Sequence, residues 1–137
     1  MRGHEYTVEF RIFSKTLNPD EITRALALQP CQIRIEGTLR ADGEPYQGMW
    51  AFDGGEGTIN WESLEGGLAF VLDKLWPHRE TIAAYKASGQ LVWWCGHFQC
   101  TFDGGPTLSA GLLRRLGEFG AELYIDNYFS DPDAPVE

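Results

Sequence analysis

The run from Gln90 to Phe102 (Gln-Leu-Val-Trp-Trp-Cys-Gly-His-Phe-Gln-Cys-Thr-Phe) constrains this chain more than any other stretch. It is dense in aromatic and β-branched residues, holds no proline or aspartate, and lies between Ser88-Gly89 and the turn chemistry of Asp103-Gly104-Gly105-Pro106. It reads as a long central strand. Side chains alternate between faces along a strand. Val92, Trp94, Phe98, Cys100 and Phe102 therefore share one face, read as core, and Trp93, Cys95, His97, Gln99 and Thr101 share the other.

The flanking sequence supplies partners for that strand. Tyr6, Val8, Phe10 and Ile12 alternate with Thr7, Glu9, Arg11 and Phe13, the period of a half-buried strand. Asn18-Pro19-Asp20-Glu21 opens a helix: Asn18 can cap, Pro19 suits the first helical position, and Glu21 stands where a capping-box acid belongs. That helix ends near Leu28, ahead of Pro30. A short strand follows around Ile33 and Ile35, and another at Met49-Trp50-Ala51-Phe52. Trp61, Leu64, Leu68, Val71, Leu72 and Leu75 recur at helical spacing until Pro77. A further turn carries Ile82 and Tyr85. After the central strand, Leu108, Leu112, Leu113, Leu116 and Phe119 mark a last helix capped by Thr107 or Ser109 and stopped by Gly120. Ala121, Leu123, Ile125 and Phe129 then alternate with Glu122, Tyr124, Asp126 and Tyr128 in a final strand.

Every helix is apolar on one side only. The economical packing is an α+β fold, a ferredoxin-like sandwich with a largely antiparallel sheet and helices on one face. At 137 residues the chain suits one domain over residues 1–130, burying roughly two-thirds of its unfolded surface, with 131–137 as a flexible acidic tail.

Composition narrows the function classes. The formal net charge is -9, so the chain repels nucleic-acid backbones and anionic lipid. No apolar run approaches the roughly 18 residues of a membrane span, and no apolar leader follows Met1. These features place the chain in the cytoplasm, with a basic protein or a second copy of itself as the candidate partner. Of the three cysteines, Cys95 and Cys100 point to opposite faces of one strand, and no clustered Cys/His spacing suits zinc. No cofactor and no metal is called for.

The opening strand with its Asn18 to Ile22 helix start, Pro30, Gly37, Met49-Trp50, the Leu64 to Pro77 helix, Leu112-Leu113-Arg114-Arg115-Leu116 before Gly120, and Asp126-Asn127-Tyr128 together resemble the domain of unknown function 4279 family. The resemblance covers nearly the whole chain. It implies a small, mainly bacterial, stand-alone α+β domain, and it brings no catalytic residues with it.

With helices over Val8, Phe10, Val92, Trp94, Leu123 and Ile125, the opposite face carries Glu9, Arg11, Phe13, Trp93, Cys95, His97, Gln99, Tyr124, Asp126 and Tyr128. Rings with polar handles among charges are what recognition surfaces use. Glu9, Arg11, Trp93, His97, Tyr124, Asp126 and Tyr128 are thus the candidate binding residues of a non-catalytic, protein-binding module, toxin-neutralising or regulatory. Loops, a second subunit or simple cross-strand stiffening explain the same rings. The alternative is a small-molecule sensor or enzyme with a pocket between the sheet and the 37–57 loops, His97 and Asp126 serving as acid and base. Asp53, Glu56 and Asp103 lack calcium-loop spacing and read as turn residues, and Gly54-Gly55-Glu56-Gly57 lacks the lysine of a phosphate-binding loop.

Overall fold

The computed structural model describes residues 3–37, 39–45, 47–55 and 60–130. Glu56, Gly57 and the 131–137 tail lie outside them. The elements are β1 (His4–Ser14), α1 (Pro19–Leu26), β2 (Gln32–Arg34), β3 (Gly48–Phe52), α2 (Leu64–Leu75), α3 (Arg79–Ala83), β4 (Gly89–Gln99), α4 (Ala110–Phe119) and β5 (Glu122–Phe129).

The local signals act as their chemistry dictates. Asn18 Oδ1 accepts from the amide of Asp20, Ser63 Oγ from that of Gly66, and Ser109 Oγ from that of Leu112. Gly120 ends α4 at a φ of 87°, a left-handed turn that glycine enters without strain. The helical period of Trp61 misleads by a turn. Trp61 exchanges backbone hydrogen bonds with Tyr6, at 2.7 and 2.8 Å, which extends the residue and leaves Ser63 to open α2. β4 stops at Gln99 rather than Phe102, because its partner β1 begins at His4, directly opposite Gln99.

The fold is α+β around one five-stranded open sheet in the order β2-β3-β1-β4-β5. β1 pairs antiparallel with β3 and β4, and β2 antiparallel with β3. β5 runs parallel to β4, so the sheet is mixed rather than simply antiparallel. The cause is α4, which carries the chain back along the sheet and returns it in the direction it left.

Helices cover one face. Tyr6, Val8, Phe10 and Ile12 of β1, Trp50 and Phe52 of β3, and Leu91, Trp93 and Cys95 of β4 pack there against Ile22, Leu26, Leu68, Leu72, Ile82, Leu116 and Phe119. This reverses the expected orientation of β4. Trp93 is 0 % exposed and His97 4 %, both on the covered face, while Val92, Trp94 and Phe98 stand on the open one. The register explains it: Trp93 lies opposite Phe10 and His97 opposite Tyr6, so both follow the apolar side of β1. Leu91, Val92 and Trp93 are all buried, and a central strand apolar on both sides does not announce its own orientation.

Candidate functional site

The open face is a lattice set by register. Phe13 lies opposite Met49 and Gln90; Arg11 opposite Ala51 and Val92, with Glu122 beyond; Glu9 opposite Trp94, with Tyr124 beyond; Thr7 opposite Gly96, with Asp126 beyond. Val92, 5 % exposed, is the short residue in a ring of long ones. Over it opens a groove of about 460 Å³ lined by Arg11, Phe13, Arg34, Gln47, Gln90, Val92, Trp94, Glu122 and Tyr124. That volume falls in the range of small-molecule sites.

The polar groups are fixed in place. Arg11 Nε donates to Glu9 Oε1 at 3.0 Å, and its guanidinium lies 4.4 Å from the centre of the Trp94 ring. Trp94 packs on Tyr124 with ring centres 4.5 Å apart and approaches Phe13 at 6.4 Å. Gln90 Nε2 donates to Glu122 Oε2 at 3.1 Å, holding that carboxylate against β4. Further along the face Phe98 stacks on Tyr128 at 4.8 Å, over Gly96, where an added Cβ would meet the Phe98 ring at 2.9 Å. Tyr128 donates to Asp126 Oδ2, and this hydrogen bond, ahead of the neighbouring charges, raises the phenol above its ordinary pKa.

Of the candidate residues, Arg11 and Tyr124 line the groove, Glu9 steadies Arg11, and Asp126 and Tyr128 continue the open face. Trp93 and His97 do not belong to it. His97 and Asp126 face opposite sides of the sheet, so the acid and base assigned to them do not meet. On the covered side His97 is held by a chain instead: His4 Nε2 donates to the carbonyl of Asp103 at 2.6 Å, His4 Nδ1 meets His97 Nε2 at 2.8 Å, and His97 Nδ1 meets Asn127 Oδ1 at 2.8 Å. Tyr6 stacks on the His97 ring at 4.7 Å. Burial, the largest cause, and then Glu9 push the Cys95 thiol up to about 12, which keeps it protonated and poorly nucleophilic. Asp53 Oδ1 accepts from the amide of Gly55, a turn contact, and among the described residues no three His, Cys, Asp or Glu side chains gather as metal ligands. Trp94, Gln90, Val92, Glu122 and Arg34 were not singled out from sequence; once β1 and β4 are aligned by apolar side, the same alternation reveals the first three.

No helix among the described residues is long and apolar enough to cross a membrane. The family model described as Domain of unknown function (DUF4279) matches residues 4–130. Neither a curated protein nor a solved structure matches the chain.

Proposed function

The chain belongs to the DUF4279 family, and we propose that it is a non-catalytic binding module whose open sheet face seats a small ligand in the groove over Val92. The observation that carries this reading is the groove itself: a concavity of about 460 Å³ in which a guanidinium, an indole and a phenol converge on one short side chain. Concave sites with a few placed polar groups suit small molecules, whereas a flat face would suit a protein. The element order up to β4 is β-α-β-β-α-β once α2 and α3 are taken together as one helical connection, and with strands ordered β2-β3-β1-β4 it supports a ferredoxin-like core to which α4 and β5 are added. The acidic balance supports a cytoplasmic setting.

The test is a metabolite screen by ligand-observed NMR on the wild-type protein and the Trp94→Ala/Tyr124→Ala variant. Hits that vanish in the folded variant support the groove. Hits that bind both proteins equally place the site elsewhere and end the proposal.

The Phe98–Tyr128 stack favours a second reading. Its rings are 41 % and 47 % exposed beside the groove, and exposed aromatics of this kind mark contact surfaces for a protein, here a basic partner or a second copy. Under that reading Phe98→Ala removes binding while Val92 substitutions do not.

A further inference from the structure

Resting on the reading of the groove as a ligand seat, we infer that its ligand is a small planar carboxylate: one negative charge on a flat, mostly apolar ring. The argument starts from donors. A guanidinium carries five N–H groups, and Arg11 gives its Nε–H to Glu9. Its side chain is only 14 % exposed, and among the described residues no hydrogen bond takes up the terminal Nη amines. A charged fork so enclosed, at the wall of a groove, matches the two oxygens of a carboxylate. Arg34 stands on the same groove from β2 and adds positive charge.

The remaining wall decides the rest of the molecule. Trp94, Tyr124 and Phe13 present ring surfaces, and the amides of Gln47 and Gln90 stand at the rim, so the groove suits a flat body with little further charge. Two carboxylates limit the charge: Glu9 partly neutralises Arg11, and Glu122, tied by Gln90, lines the groove. A doubly charged phosphate meets repulsion there that a single carboxylate largely avoids.

The experiment titrates wild-type protein with benzoate, 1-naphthoate and indole-3-carboxylate, with benzamide as the neutral isostere, benzylamine as the cation and inorganic phosphate as the dianion. Trp94 and Tyr124 resonances report groove occupancy. The carboxylates are expected to shift those resonances and to bind at least about tenfold more tightly than benzamide or phosphate. Arg11→Gln should weaken them by about tenfold or more, with Arg11→Lys intermediate because it keeps the charge and loses the fork. Both variants are checked for native circular dichroism, and Arg34→Gln, on the short edge strand β2, is a second variant less exposed to folding failure. Benzamide or benzylamine shifting the same resonances as strongly as benzoate overturns the carboxylate and leaves the groove standing. Silence of the groove resonances to every probe overturns both.

Discussion

His4 and His97 share a hydrogen bond, Nδ1 to Nε2 at 2.8 Å, across the antiparallel pair that joins the first strand to the fourth. The chain continues to acceptors at both ends, the Asp103 carbonyl and Asn127 Oδ1. Three bonds between two acceptors need three protons on four ring nitrogens, one more than two neutral imidazoles carry. A neutral pair keeps all three only by turning the Asn127 amide so that its N–H donates.

The first prediction is therefore that Asn127→Leu, which can neither donate nor accept, destabilises the fold by about 1–3 kcal/mol by stranding His97 Nδ1. His97→Ala, which also removes the ring stacked on Tyr6, costs more. Urea unfolding of both variants measures this, and ¹⁵N shifts of the imidazoles distinguish the two proton arrangements. Stability unchanged in Asn127→Leu would refute the chain.

Adjacent tryptophans should behave oppositely. Trp93, packed on Phe10 and Phe119, loses about 3–5 kcal/mol on truncation to alanine. Trp94, on the open face, loses far less. Trp93→Phe is mild, because the buried Trp93 Nε1–H finds no acceptor among the described residues and its removal leaves nothing there unpaired. Guanidinium midpoints decide, and a larger loss at Trp94 would reverse the two faces of β4.

Two glycines form a backbone test. A Cβ on Gly89 would stand 2.0 Å from the carbonyl oxygen of Phe13, so Gly89→Ala must push β4 away from β1 and costs about 2 kcal/mol or more. A Cβ on Gly105 would meet nothing within 4 Å among the described residues and its φ is not left-handed, so Gly105→Ala is neutral. Thermal unfolding of the pair checks both.

The thiol of Cys95 sets an alkaline limit. Its folded pKa, pushed up by burial to about 12 from an ordinary 9, lies above the unfolded value, so its contribution is complete below pH 9 and is lost as pH rises from 9 toward 12. In that window the loss is about 1.4 kcal/mol per pH unit, as an upper figure. Cys95→Ala, less stable at neutral pH, should show a shallower decline between pH 9 and 11, and folded wild-type protein should not be alkylated at Cys95. Equal slopes would contradict the assignment.

Much of the fold is legible because short-range chemistry writes it. Asn18, Ser109 and Gly120 declare helix ends within a few residues, and the β1 alternation names its buried side correctly. The orientation of β4 is not local information: Trp93 and Trp94 are equally good core residues until Phe10 chooses between them. The groove is less local still, since Arg11, Val92 and Glu122 come into one row only through pairings of both signs. Arg11 and Tyr124 were visible as polar-handled residues on a half-buried face. Val92, whose smallness opens the groove, gives no signal by itself.

The position of β1 has a consequence for how the sheet closes. The first strand of the described fold is also the middle strand of the sheet, paired with β3 on one side and, along its whole length, with β4 on the other. His4 pairs with Gln99, and Phe10 with Trp93, so β1 meets its longest partner only across the three helices and two strands that lie between them in the chain. Loops that long must close before the pairing rewards them. Closing the sheet is thus a step governed by long-range pairing, and until β4 is in place the apolar side of β1 is open to the wrong edge.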